Sequence, residues 1–150
     1  MLSCDLSIKT TREPKLEHLS NQVAISRANP ARSLELALAA ARVAAENRGH
    51  DVTVLDMSES VAWVDYFVIA TGTSRRQLHA MSEAVDQKLE EELHDQRMNI
   101  DGYDESRWIV LDYGSVVVHL FDEDTRQFYS LESLWADAKR VDLSETLSGI

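Results

Sequence analysis

The chain has one cysteine, Cys4, in 150 residues. No internal disulfide can form, and a cysteine-built zinc site is excluded. So thiol-poor a chain fits a reducing, cytosol-like compartment. No stretch approaches the roughly 18 consecutive apolar residues that a membrane span requires. The N-terminus has no apolar run of the kind that opens a secretory signal. Catalytic signatures are missing as well. None of the five histidines (His18, His50, His79, His94 and His119) stands at HExxH or comparable ligand spacing. There is no GxSxG elbow, no GxxxxGK[ST] loop and no multi-glycine dinucleotide fingerprint. Cys4 sits in a polar segment with no ordered base near it in sequence, a poor setting for a nucleophile. These absences point away from an enzyme and from a cofactor or metal protein.

The length corresponds to one domain, and an apolar content of 44% is ordinary for a globular core. Charge is what stands out. The net charge is −11, with 15 basic and 26 acidic side chains. Residues 1–29 hold four of the basic and three of the acidic groups, so the rest of the chain carries −12. Such a body repels a phosphate backbone and attracts a basic protein, which argues against sequence-specific nucleic-acid reading.

Residues 1–29 are polar and aperiodic and read as a mobile extension, with a short helical piece around Pro14 to Gln22. Asp5, Glu13 and Glu17 count against a transit peptide, so a bacterial cytoplasmic setting is expected rather than an organelle. Residues 30–141 read as the domain and 142–150 as a tail. Asn29-Pro30 starts a helix, with Leu34, Leu38, Ala41 and Ala45 at helical spacing and Gly49 closing it. Asp51–Met57 reads as a strand. YFVIAT (Tyr66–Thr71) reads as a central strand buried on both faces. Ser74 and Gln77 then resemble a capping box, and Leu78, Met81, Val85 and Leu89 make the inward stripe of a second helix. A short strand or loop follows between Met98 and Tyr103.

The segment from Trp108 to Trp135 is the most informative. Gly114-Ser115 suits a two-residue hairpin turn. It pairs Tyr113 with Val116, Leu111 with Val118 and Ile109 with Leu120 on an apolar core face. Trp108, Val110, Asp112, Val117, His119 and Phe121 occupy the opposite face, mixed as a docking surface is. Ser130 caps a last helix whose stripe is Leu131, Leu134, Trp135 and Ala138. Aromatics concentrated in this way supply binding hot spots.

Four groups of residues could carry chemistry. The TGTS turn (Thr71–Ser74) with Arg75 and Arg76 offers amides and guanidinium groups to a phosphate, but reads more simply as a capped turn. Asp122-Glu123-Asp124 offers carboxylates to a hard cation, but reads more simply as a solvated acidic loop. Gly72 and Asp122 are about fifty residues apart, too far for the glycine and carboxylate motif of a nucleotidyltransferase. Asp56, Asp65 and Asp112 lie near strand ends, where capping and loop hydrogen bonds are the simplest role.

The blocks DVTVLDMS, DYFVIATGTSRRQLHAMSEAV, WIVLDYGSVVVHLF and RQFYSLESLW, in this order and spacing, closely resemble the ribosomal silencing factor family, also called Iojap-like. The resemblance covers about residues 33–138. It implies a single α/β domain, a mixed β-sheet flanked by helices, with a topology like that of nucleotidyltransferases but without their activity. It also implies docking on the large ribosomal subunit through large-subunit protein fourteen, which blocks joining of the small subunit and represses translation. Family members assist large-subunit maturation in organelles and form homodimers when free. The alternatives are a large-subunit assembly factor without silencing activity or, further off, a nucleotidyltransferase. The resemblance places the partner-binding surface at Trp108, Tyr113 and Tyr129, with Asp112, Gly114 and Arg126 shaping or extending it. Ser115 stands where the family usually has aspartate, removing a charge beside the turn, and Asp101-Gly102 replaces the commoner Glu-Gly. Tyr113 is thus assigned to the core face by the hairpin register and to the docking patch by the resemblance.

Overall fold

In the computed structural model, residues 29–150 are described. The extension read over residues 1–29, its helical piece and Cys4 lie outside the described residues, apart from Asn29. The strands are β1 (His50–Asp56), β2 (Tyr66–Gly72), β3 (Asn99–Asp101), β4 (Trp108–Asp112), β5 (Val116–Asp122) and β6 (Lys139–Arg140). They form one sheet in the order β3-β4-β5-β2-β1-β6. Only β2 and β5 pair in parallel, so the sheet is mixed. The helices are α1 (Pro30–Glu46), α2 (Arg75–Asp86, continued by a π-helical turn over Gln87–Glu92), α3 (Glu123–Tyr129) and α4 (Leu131–Leu134).

The hairpin register is as read: Ile109 faces Leu120 and Leu111 faces Val118, and the Tyr113 amide donates to the Val116 carbonyl at 2.9 Å. The αL-like φ of +87° at Gly114 is what a turn of this kind needs from glycine. Val54, Val68, Ala70, Ile109, Leu111, Val118 and Leu120 form the inner face of the sheet, packed under α1 and α2. YFVIAT is central, buried from Val68 onward.

Asn29 caps α1 through its side chain, which accepts from the Arg32 amide at 3.2 Å. The buried face of this helix differs from the expected one. Ser33, Leu36, Ala37, Ala40, Ala41 and Ala44 are buried, whereas Leu34, Leu38 and Ala45 lie on the flanks. In an alanine-rich helix the small side chains mark the face that approaches the sheet most closely, so counting leucines rotates the stripe. Its exit also differs. The left-handed residue is Arg48, with φ of 65°, and the Gly49 amide reaches the Ala44 carbonyl at 2.8 Å. Gly49 is needed for space instead: a Cβ there would lie 2.6 Å from the Ala44 oxygen.

For α2 the expected stripe holds, with Leu78, Met81, Val85 and Leu89 all fully buried. Ser74 accepts from the Gln77 amide at 3.1 Å. The returning arm of the capping box goes one residue further back, because Gln77 Oε1 accepts from the Thr73 amide at 2.6 Å. Residues after Val141 turn back onto the body: Leu143 packs against the inner core and Arg42 donates to the Thr146 carbonyl at 2.6 Å.

Candidate functional site

The outer face of the sheet is built differently. Strand alternation puts Phe67, Ile69 and Thr71 of β2, Trp108, Val110 and Asp112 of β4, and Val117, His119 and Phe121 of β5 on this side. Near β1 it is roofed by Leu131 and by partly buried Val61, Val64, Trp135 and Ala138. Toward β3 no helix among the described residues covers it, and Val110, Asp112 and Val117 remain half-exposed.

Six rings run across this face in sequence of contact. Trp135 meets Phe67 at 6.4 Å between centroids, Phe67 meets His119 edge-on at 4.6 Å, and His119 meets Trp108 at 5.9 Å. Trp108 then meets Tyr129 at 4.8 Å, and Tyr129 meets Phe128 edge-on at 5.1 Å. Beneath them Phe121 stacks on Trp108 at 4.9 Å. The run rises from the interior to the surface: His119 is buried, Trp108 is half-buried, Tyr129 is 51% exposed and Phe128 81%. An open hollow of about 460 Å³ lies at its outer end, lined by Trp108, Phe128, Tyr129, Glu105, Arg107, Asp124 and Thr125.

His119 fixes the tryptophan. The Trp108 indole N–H donates to His119 Nδ1 at 3.1 Å, so the histidine proton is on Nε2. That nitrogen is buried with no hydrogen-bond partner among the described residues. Burial lowers the imidazole from its ordinary 6.5 to about 4, so it is neutral at physiological pH and remains an acceptor. His119, which strand alternation puts on the face expected to dock, is instead buried, because the rings on either side cover it.

The helix carrying Phe128 and Tyr129 corrects the acidic-loop reading. Asp122 accepts from the Thr125 amide at 2.8 Å as the N-cap of α3, and Glu123 and Asp124 fill its first turn, where the helix dipole favours negative charge. Ser130 sits at the cap position between α3 and α4 but makes no side-chain capping bond to the helix that follows. It adopts a left-handed φ of 45° and its hydroxyl bonds to Ser133. The helix after it is one turn long, and Leu134, expected in the buried stripe, is 68% exposed.

The residues assigned by resemblance fall into three places. Trp108 and Tyr129 touch. Asp112, Tyr113 and Gly114 lie at the far end of β4, about 13 Å from Trp108 at ordinary strand rise. There the Asp112 carboxylate accepts from the Gly114 amide at 2.8 Å. The Tyr113 side chain is only 3% exposed, so the register reading prevails. Its hydroxyl donates to Asp86 of α2, and its ring offers no outward contact area. Ser115 is buried beneath the turn, so position 115 does not present a side chain beside the exposed contact. Arg126 is turned away from the aromatic run. It donates to Thr71 Oγ1 at 2.7 Å and to the Asp51 carbonyl at 2.6 Å, and it pairs with Glu132.

Two residues of this face escaped the sequence reading. Phe128 needed α3, which the Asp122-x-x-Thr125 cap signals. Phe67 was read only as part of a buried strand. The strand-end aspartates are occupied locally: Asp65 accepts from Ser33 Oγ at 2.8 Å and Asp56 from the Ser58 amide at 3.0 Å. A Ser106–His79 pair, not foreseen, sits at 2.5 Å, but Ser106 also donates to the Tyr103 carbonyl, which His79 Nε2 contacts at 2.7 Å. A ring nitrogen that donates to a carbonyl cannot take the serine proton, so the pair ties the loop before β4 to α2. Among the described residues no group of three or more His, Cys, Asp or Glu side chains is arranged to hold a metal ion. Nor is any described helix long and apolar enough to cross a membrane.

Comparison with known proteins adds relationships to this geometry. A family model described as "Ribosomal silencing factor during starvation" matches residues 30–149. The ribosomal silencing factor of Bacillus subtilis is 40% identical over 105 residues, which is 69% of this chain and 87% of that protein. A Mus musculus protein named for mitochondrial assembly of the ribosomal large subunit is 38% identical over 93 residues, 60% of this chain and 40% of its own. Among solved structures, one from Chromobacterium violaceum matches with a TM-score of 0.66 at 30% identity, covering 69% of this chain and 85% of its own. One from Bacillus halodurans matches with a TM-score of 0.61 at 32% identity, covering 73% and 96%.

Proposed function

The chain belongs to the ribosomal silencing factor family, and on that premise we propose that it binds the large ribosomal subunit through large-subunit protein fourteen and sterically blocks joining of the small subunit. The observation that carries this reading is the aromatic run that ends at exposed Tyr129 and Phe128 on a body of strongly negative charge. Rings presented on a strand and the helix that follows it give large contact area at low entropy cost. The acidic surroundings favour a basic protein over ribosomal RNA as the first contact. Occlusion needs no chemistry, only an interface of roughly 1,600 Å² and bulk behind it.

The docking surface we propose extends from Trp108, Phe128 and Tyr129 along Val110 and Val117 to the Asp112–Gly114 turn. Trp108 and Tyr129 are direct contacts in this reading. Tyr113 and Arg126 support the surface from behind.

The test is sedimentation of purified subunits with and without the protein. Co-sedimentation with the large subunit and loss of joined ribosomes is the expected result. An unchanged joined fraction at saturating protein overturns silencing. The relationship to the mouse protein favours one second reading, a large-subunit assembly factor. That reading predicts association with precursor particles and no effect on mature subunits in the same gradients.

A further inference from the structure

The hairpin turn is held from two sides. Outside, the Asp112 carboxylate accepts from the Gly114 amide at 2.8 Å. Inside, the Tyr113 hydroxyl donates to one carboxylate oxygen of Asp86, at the C-terminal end of α2, and Arg97 donates to the other. The Arg97 backbone amide in turn donates to Glu90 Oε1 at 2.9 Å, in the π-helical turn that continues α2. A tyrosine from the hairpin, an aspartate from one helix and an arginine from the following loop thus form one half-buried chain. The Met98 amide, next to Arg97, donates to the Asp112 carbonyl at 2.7 Å and closes the loop back onto β4.

Packing alone does not call for this arrangement. A phenylalanine at 113 would fill the same volume without needing a polar partner. Burial pushes the Asp86 carboxyl up from its usual range, and the Tyr113 hydroxyl and Arg97 pull it back down. Burial and the neighbouring carboxylate push the Tyr113 hydroxyl well above 10, so it stays a proton donor. A half-buried polar chain of this kind adds little net stability, but its directional bonds tie the Tyr113 hydroxyl to one place beside Asp86. What it specifies is the height and tilt of the turn relative to α2.

We infer that Asp86, held by Arg97, is a positioning residue for docking: it fixes the Asp112–Gly114 turn in the orientation that the partner meets. The inference rests on the docking face proposed above, and adds to it Asp86 of α2 and Arg97 of the loop that follows. Neither reaches the partner; both act through Tyr113.

The experiment compares wild type with Tyr113→Phe, Asp86→Asn and the double variant. Affinity for purified large subunits, the amide resonance of Gly114 in ¹⁵N-labelled protein and thermal melts are measured on each. Each single variant is expected to weaken binding about tenfold, and the double variant no more than either single, as residues acting through one bond do. The Gly114 resonance shifts in all three. Arg97→Lys, which keeps the charge, retains more affinity than Arg97→Ala. If Asp86→Asn fails to fold, Tyr113→Phe carries the test, since it keeps the ring and removes only the hydroxyl. Variants that bind as wild type does, with an unmoved Gly114 resonance, overturn the inference and leave the docking proposal standing. If wild type itself does not bind, the docking proposal falls. The resonance still decides whether Asp86 sets the turn, and an unmoved one overturns that too.

Discussion

The two faces of this sheet share the same strands and follow opposite rules. The inner face is aliphatic and closed, with Val54, Val68, Leu111, Val118 and Leu120 fully buried under two helices, one of them lined with alanine. The outer face uses rings, hydroxyls and one neutral imidazole, and among the described residues Leu131 and Trp135 roof it on the β1 side alone. Strand alternation makes this division possible, because neighbouring residues answer to different selective demands. The inner face supplies the fold. The outer face, relieved of that task over β4 and β5, is free to keep apolar groups at the surface.

The two faces therefore respond differently to substitution. The largest effect belongs inside. Leu120→Ala opens a cavity in the closed core and is expected to cost about 3 kcal/mol of stability in a urea melt. A loss below about 1 kcal/mol would mean that the inner face is not the main source of stability. Next comes acid. The unfolded chain takes up a proton on His119 near 6.5, and the fold resists it down to about 4. The stability linked to this group is therefore complete above 6.5 and is lost as pH falls through that window, by up to roughly 3 kcal/mol. His119→Gln keeps an acceptor for the Trp108 indole without titrating. Its melts between about pH 7 and pH 4 are expected to show a shallower decline, and equal slopes would remove His119 as the cause.

Phe128→Ala sharpens the contrast most directly. The ring is exposed, so stability is expected to change by less than about 0.5 kcal/mol, while affinity for the large subunit falls by about 2 kcal/mol. Unchanged affinity would detach the end of the aromatic run from the proposed surface. The smallest effect is Gly114→Ala, at about 1 kcal/mol of stability, since alanine must adopt a left-handed φ there. A neutral result in a thermal melt would show that the turn relaxes.

Much of this was legible along the chain. The hairpin register followed from one Gly-Ser pair between alternating strands, and the α2 stripe from apolar residues at regular spacing. These are signals between near neighbours. The α1 stripe was misphased because leucine is a poor guide where alanine permits the closest approach. The helix α3 was hidden because Asp122-Glu123-Asp124 serves equally as an acidic loop or as the start of a helix, and only its fit against β5 and β2 selects the second. Arg126 looked like part of a surface and is spent on Thr71, Asp51 and Glu132, residues far away in sequence.

The sequence by itself determined the strands β1, β2, β4 and β5, the pairing of the hairpin and which ring-bearing segment to inspect, because those depend on periodicity and local turn chemistry; β6, two residues long, carries no such signal. Only the tertiary structure decided that Tyr113 points inward to Asp86, that His119 lies under Trp108, and that Phe128 is the exposed end of a run beginning at Trp135. Those outcomes depend on which surfaces meet in space. Burial, hydrogen-bond partnership and the resulting proton affinities belong to the assembled contact rather than to any residue within it.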